Sequence, residues 1–257
     1  MNNKPFVFLK KSTNLSLDDC YITLKDSIPN LSRSNLHRCL QRNGLSVLPK
    51  EVTTPLSANK KQKFKTYKTG YLHLDITEVT LEKNNKFNLF VAIDRISKFA
   101  IAKIYKHKTT DNSIDFLKKV IDFFPYQIHR ILTDNGSQFT YRLLTQHLRP
   151  KAFHPFDLIC KQNAIKHKLT KFRHPWTNGQ VERFNRTIKN DTVKRYHYDN
   201  IEQLEAHLQE FMMAYNFAKK LKAIKFKTPW EFILAEYQNN SKIFKINPFH
   251  YSRGLNT

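Results

Sequence analysis

Apolar residues recur along most of the chain with one of two periods, and the switches between them mark out its elements. Over Tyr71–Thr77, Leu72, Leu74 and Ile76 alternate with His73, Asp75 and Thr77, the period of a strand with one buried face. Asn88–Ile93 and Phe99–Tyr105 read as two more strands. They are joined by the short turn Asp94-Arg-Ile-Ser97, so the three predict an antiparallel meander. The period then lengthens: Ile114, Leu117, Ile121 and Phe124 predict one buried face of a helix over about 111–124, ended by Pro125. Ile128–Thr133 predicts a strand that runs into Asp134-Asn-Gly136, and Ile165–Leu169 a short fifth strand. Two helices follow, over about 179–195 and 201–220. The second opens with Asn200 and Gln203 at the spacing of a capping box.

Before this alternating region the pattern is helical. Ser16 caps a predicted helix from Leu17 to about Lys25, with Asp18 and Asp19 in its first turn. Ile28-Pro-Asn-Leu31 breaks it. Ser32 opens a second helix from Arg33 to about Asn43, with Gly44 just past its end. Leu36, Cys39 and Leu40 form its inner face, and Arg33, Asn35, Arg38 and Arg42 lie away from it. Helix, break, basic helix is the helix-turn-helix pattern, whose second helix reads the major groove; an ordinary helical hairpin has the same periodicity. The chain thus divides into a helical DNA-binding segment at 1–48, a basic linker at 49–69, a main domain at 70–235 and a tail at 236–257. Three antiparallel strands, a crossover helix, then further strands and helices is the order of an α/β fold of the ribonuclease H-like kind, a five-stranded mixed sheet with flanking helices.

Charge narrows the function. The chain of 257 residues carries 44 Lys+Arg against 21 Asp+Glu, a net charge of +23. So large an excess points to a polyanionic partner whose phosphates it neutralises, although a Lys-rich codon bias produces the same composition. The three cysteines form no disulfide framework, which fits a reducing cytoplasm. No apolar run approaches the roughly 18 residues of a membrane span.

Against this basic background, three carboxylates stand out by position. Asp75 sits mid-strand among apolar neighbours, where an unpaired charge is costly. Asp134 ends a strand at a tight turn. Glu182 lies early in a helix that Asn178 caps, beside the stripe Val181, Phe184 and Ile188. Carboxylates converging from two strands and a helix suit Mg2+, which takes oxygen ligands and keeps room for water and phosphate. Each has a plainer role available: a turn residue at Asp134, an i,i+4 partner of Arg186 at Glu182. Asp94, in a hairpin turn, and Glu78, on the opposite strand face, are weaker rivals. His154, Cys160, His167 and His174 match no zinc-finger spacing.

Three motifs carry a family resemblance: Leu72-His-Leu-Asp75, Ile131-Leu-Thr-Asp134-Asn-Gly-Ser-Gln-Phe139, and His174-Pro-Trp-Thr-Asn-Gly-Gln-Val-Glu182-Arg-Phe-Asn-Arg186. From Leu72 to about Phe232 the chain resembles the integrase core of bacterial insertion-sequence transposases, the Asp-Asp-Glu group related to retroviral integrases. Leu15–Leu48 resembles the DNA-binding region that precedes such cores. The resemblance implies a DNA transposase in which Asp75, Asp134 and Glu182 hold two Mg2+ or Mn2+ ions, cut the element's end and transfer its strand to a target. It implies DNA partners, the terminal inverted repeats and a target duplex, and a homo-oligomer assembled on DNA. Lys171, Arg173, Asn178, Arg186 and Lys189 become candidate phosphate contacts, joining Arg33, Asn35 and Arg38 from the basic helix. The stretch between Asp134 and Glu182 exceeds the commonest family spacing, so an extra element around His154–Cys160 is expected. Trp176 stands where the family usually has Gln. The family also carries a further helical module before Leu15. Residues 1–14 offer no clear helix, so the N-terminal segment reads as incomplete, and a non-catalytic DNA-binding remnant is the alternative function.

Overall fold

The computed structural model of the protein describes residues 4–13, 15–28, 30–45, 67–81, 85–170 and 179–250. The basic linker, up to residue 66, lies outside these, as do residues 171–178. The chain divides into two compact units, Met1–Lys65 with Lys220–Phe226 and Thr66–Lys219 with Lys227–Thr257.

In the smaller unit, α1 (Lys4–Thr13), α2 (Leu17–Lys25) and α3 (Arg33–Arg42) pack together. The caps are as the sequence predicts: the Ser16 and Ser32 hydroxyls accept from Asp19 N and Asn35 N. Gly44, at φ 69°, ends α3 in the left-handed conformation, and Leu45 N closes the turn on Leu40 O at 2.8 Å. Cys20, Leu31, Leu36, Cys39 and Leu40 form the core. The helix α1 corrects the expectation that residues 1–14 hold none. Its apolar residues run consecutively from Phe6 to Leu9 and give no helical period, so nothing marks it in the sequence. Tertiary contact supports it: Leu9 packs on the cluster and Lys10 Nζ donates to Leu15 O.

The larger unit is built on a five-stranded sheet of order β3-β2-β1-β4-β5. β1 (Tyr71–Thr80), β2 (Lys86–Asp94) and β3 (Ala100–Tyr105) form the antiparallel meander; β4 (Arg130–Thr133) and β5 (Lys166–Leu169) add in parallel. Strand alternation gives the sheet two faces. Leu72, Leu74, Phe90, Ala92 and Ile131 pack against α4 (Thr110–Phe123) and α5 (Pro155–Gln162) through Phe116, Leu117, Val120 and Phe156. On the other face lie α6 (Gly179–Asp191) over β1 and β2, and α7 (Ile201–Met213) over β3. This is the mixed sheet with flanking helices of the ribonuclease H-like class.

Several details differ from the expected pattern. The buried stripe of α4 is Ser113, Phe116, Leu117 and Val120, with Ile114 and Ile121 at its margin. The large ring of Phe116, stacked edge-on against Phe90, sets the rotation of the helix. Asn200 caps α7, but Gln203 Oε1 accepts from Asp199 N rather than from the cap residue, so the box is only half made. The extra element expected around His154–Cys160 is α5. Beyond it, α8 (Pro229–Asn239) has a complete capping box of Thr228 and Glu231 and sends Ile233 into the main core. The tail is part of the fold: Ile243 O accepts from Gln127 N at 2.8 Å, and Phe244 packs on Tyr126.

The helix α7 does not run on to residue 220. A π-turn replaces it at Ala214–Ala218 and presents Asn216 to the outer strand β3. Asn216 Oδ1 accepts from Ala100 N at 3.0 Å and Nδ2 donates to Ala100 O at 2.8 Å, in place of a further strand. Replacing Asn216 by Ala strands both backbone groups in a buried setting. The expected cost in urea unfolding is about 2–4 kcal/mol; a change below about 0.5 kcal/mol would show that the clamp contributes nothing beyond an ordinary surface contact.

Candidate active site

The site begins with strand parity. Tyr71, His73 and Asp75 point to the α6 face of β1, away from the Leu72 and Leu74 core. The β1–β4 register pairs His73 with Leu132. Two residues further along the same register, Asp75 comes opposite Asp134, just past the end of β4. Strands lie roughly 4.8 Å apart, so the two carboxylates stand on neighbouring strands and on the same face.

Asp134 leaves the strand in a tight side-chain turn: its Oδ1 accepts from Gly136 N at 2.9 Å. A side chain at 136 would have to displace the end of the Gln138 side chain, which comes within 2.3 Å of where a Cβ would sit.

Glu182 comes from α6, which is fastened to the sheet at several points. Val181, Phe184 and Ile188 are buried beneath it. Gln180 Nε2 donates to Asp94 O at 3.1 Å, and Lys98 Nζ donates to Gln180 Oε1 at 3.3 Å. Asn185 Nδ2 donates to Asp75 Oδ2 at 2.7 Å. Glu182, one turn before Asn185, is exposed, but close enough to act electrostatically on Asp75.

Asp75 registers this crowding. Burial pushes its carboxyl up to about 6, and the negative charges of Asp134 and Glu182 push the same way; hydrogen bonds from Ile76 N and Asn185 oppose them. The donor set is all oxygen, and the like charges press on one another in a way that a divalent cation relieves. The buried Asn185 Oδ1, also on this face, has no partner. Among the described residues, no three His, Cys, Asp or Glu side chains stand close enough to hold one ion together. Two carboxylates with water and substrate phosphate are an ordinary Mg2+ environment, and Asp75 and Asp134 fit it.

The remaining sequence candidates fall into three groups. Lys189 lies near Asp75: burial lowers its pKa, and Glu78 and Asp75 pull it back up. Arg186 points to solvent. Lys171, Arg173 and Asn178, with Trp176, lie outside the described residues. In the helical unit Asn35 and Arg38 are exposed, but Arg33 is half-buried and donates to Asp18, so it does not share their open face. Arg42, one turn on from Arg38, does.

The rival carboxylates are engaged elsewhere. Asp94 is wholly buried and accepts from Gly70 N at 2.7 Å, Ile96 N and Ser97 N. Glu78 pairs with Lys86 at 3.0 Å on the surface. The cysteines are free and buried, and no helix among the described residues is long and apolar enough to cross a membrane. Sequence reasoning passed over Asn185, although its place one turn after Glu182 in Glu-Arg-Phe-Asn was the available signal. Nothing local pointed to Gln180 or Lys98, because their roles depend on long-range packing.

Residues 66–175 match one family model described as an integrase core domain, and residues 163–229 match a second with the same description. The chain is 32% identical over 194 residues to a putative integrase of Spiroplasma virus SpV1-C74, an alignment covering 71% of this chain and 53% of that protein. It is 29% identical over 127 residues to a Caenorhabditis elegans protein, K02A2.6, covering 49% of this chain and 9% of that one. It thus spans about half the length of the first and under a tenth of the second. Among solved structures, the HTLV-2 integrase catalytic core in complex with magnesium aligns at a TM-score of 0.47 and 23% identity, over 63% of this chain and 93% of that one. The two matches together run over residues 66–229, which are thus similar to integrase core domains.

The crowding at Asp75 has a measurable consequence. Between about pH 4 and 6 the folded chain holds a proton on Asp75 that the unfolded chain has already released. The native state binds more protons in this window, so metal-free stability falls as pH rises through it, in total by on the order of 2–3 kcal/mol. Urea unfolding in chelator from pH 4 to 7 should show that slope in the wild type and lack that part of it in Asp75→Asn. Parallel curves for the two proteins would mean that Asp75 is not under this pressure.

Proposed function

We propose, from the similarity of residues 66–229 to integrase core domains, that the protein is a metal-dependent DNA strand-transfer enzyme with Asp75, Asp134 and Glu182 as its catalytic carboxylates. The observation that carries this reading is the placement of Asp75 and Asp134 on one sheet face, with Asn185 of α6 holding Asp75 and Glu182 one turn before Asn185 on the same helix. Bound Mg2+ or Mn2+, two ions in the full reading, would activate water or a 3′-hydroxyl and stabilise charge on the transferring phosphoryl group. The chain's own residues do the positioning. Asp75 and Asp134 present oxygen ligands on one sheet face. Asn185 orients Asp75, and the docked helix α6 brings Glu182 to the open side, where its exposed side chain can close on the site. Lys189 sets a positive charge within electrostatic range of Asp75, suited to a DNA phosphate. The net charge of +23 favours a polyanion over the whole surface.

The finer reading is a transposase that cuts the terminal repeats of an insertion sequence and joins them to a target duplex, acting as a homo-oligomer on DNA. In it α3 reads the duplex through Asn35, Arg38 and Arg42, the residues of its open face. The alternative, a non-catalytic DNA-binding remnant, draws on one observation: among the described residues no three potential ligands already share an ion's position.

Nicking of an oligonucleotide in Mn2+ separates the two. In Glu182→Gln, nicking should fall by about a hundredfold or more while duplex binding persists or tightens. Were Glu182 only a helix-surface partner of Arg186, the change would cost about 0.2–0.5 kcal/mol of stability and leave chemistry intact. Wild-type nicking by a folded Glu182→Gln protein therefore removes Glu182 from the site, and a wild-type protein that binds duplex without nicking it supports the remnant.

Replacing Asn35, Arg38 and Arg42 together by Ala tests α3. The slope of log affinity against log salt should flatten by about one for each phosphate that the helix no longer neutralises. An unchanged slope and affinity would return α3 to an ordinary packing helix.

A further inference from the structure

The segment around Asp134 is held from behind by a chain of side chains that the proposed chemistry leaves unused. Thr133, the last residue of β4, is fully buried and points to the α5 face, opposite to Asp134. Its hydroxyl lies 2.8 Å from His167 Nε2 and 2.9 Å from the main-chain O of Asp134, so one proton is shared between the ring and the backbone next to the carboxylate. On the far side of the ring, His167 Nδ1 donates to Asp157 Oδ1 at 2.5 Å. The His167 side chain is only 6% exposed, so the ring has little freedom to turn.

Two further ties lie on either side. Asn135 Nδ2 donates to Thr170 O at 3.0 Å, and Thr170 N donates to Thr133 O at 2.9 Å. His154, buried at the start of α5, accepts from Phe156 N at Nδ1, which puts its proton on Nε2, 3.1 Å from Ser137 O. Residues 133, 135 and 137 are thus each tied to the β5–α5 side, and Asp134 lies between the ties.

We infer that Asp157 and His167 position Asp134 through Thr133. They fix the end of β4 and with it the direction from which this carboxylate meets a metal ion. Asp157, His167 and Thr133 are positioning residues and touch no substrate. The inference rests on the reading of Asp134 as a metal ligand. It gives α5, supplied by the long stretch between Asp134 and Glu182, a function: it carries Asp157 and His154, the outer anchors of the brace.

Mn2+ titration of the DNA-free full chain, followed by the paramagnetic signal of the free ion, tests this directly. Thr133→Val removes the hydroxyl and keeps the branched shape; Thr133→Ser keeps the hydroxyl. Asp157→Ala removes the outer anchor from a position that is partly exposed. Thr133→Val and Asp157→Ala should weaken Mn2+ binding by about ten- to a hundredfold, as loss of a ligand's hydrogen-bonding support does elsewhere. Thr133→Ser should restore near wild-type binding, and duplex affinity should be unchanged in all three. In nicking, the loss should appear in kcat at fixed Mn2+ and not in KM for DNA. A purely structural role would lower the melting temperature and leave the Mn2+ affinity of the folded protein in place. Asp134→Asn is the control. If it abolishes Mn2+ binding while Thr133→Val and Asp157→Ala bind as wild type, the brace is overturned and the metal reading stands. If Asp134→Asn binds Mn2+ as wild type, the metal reading fails and this inference fails with it.

Discussion

Two carboxylates side by side on one sheet face, both half-buried, repel each other wherever the fold brings them together. That repulsion is the constraint around which the larger unit is arranged. The parallel pairing of β1 and β4, which puts His73 opposite Leu132, carries Asp75 alongside Asp134 just past it, and burial together with Asp134 and Glu182 raises the Asp75 carboxyl to about 6. A fold under selection for stability alone would replace such a pair with apolar residues. Here the cost is offset by packing: the aromatic and aliphatic core beneath β1, β2 and β4 is continuous through Phe90, Phe116, Phe124 and Phe156. The pair is also held still. Asn185 fixes Asp75 from α6, and the Asp134 turn closes on Gly136 N. Arranging negative charge where a divalent cation relieves it is the physical basis for reading this face as a metal site.

Much of this was legible in the sequence because it depends on local rules. The alternation at Tyr71–Thr77 fixed both the strand and the side on which Asp75 lies. Ser16, Ser32 and Asn200 cap helices where a cap residue precedes an apolar run. Set against the usual spacing of the family it resembles, the length of chain between Asp134 and Glu182 implied an extra element, and α5 supplies it. What the sequence hid depends on partners far along the chain. The helix α1 has no apolar period and is held by contacts with α2 and α3. Arg33 has the look of a base reader, yet its guanidinium goes to Asp18 across the hairpin. The α7 helix stops at a π-turn because Asn216 pairs with a strand more than a hundred residues earlier. His167 alternates inward on a strand like any half-buried residue; its partners Asp157 and Thr133 come from a helix and from a different strand.

The charge distribution divides the work. On the proposed reading, the chain's excess of positive charge supplies affinity for a polyanion that does not depend on sequence, while Asp75, Asp134 and Glu182 set negative charge together on the α6 face. Phosphodiester chemistry needs both: a basic surface to hold the backbone and an acidic pocket that admits cations to it. Lys189, lying near Asp75, marks where the two meet.

The central claim is that Asp75 and Asp134 hold a divalent ion between them. Crystals of the full chain grown or soaked in Mn2+ answer it through the ion's anomalous scattering. The account predicts a peak between the two carboxylates, roughly 2.0–2.2 Å from an oxygen of each, that is absent from Asp134→Asn crystals treated in the same way. Saturating Mn2+ that leaves this face empty, or a peak there that survives Asp134→Asn unchanged, would contradict it.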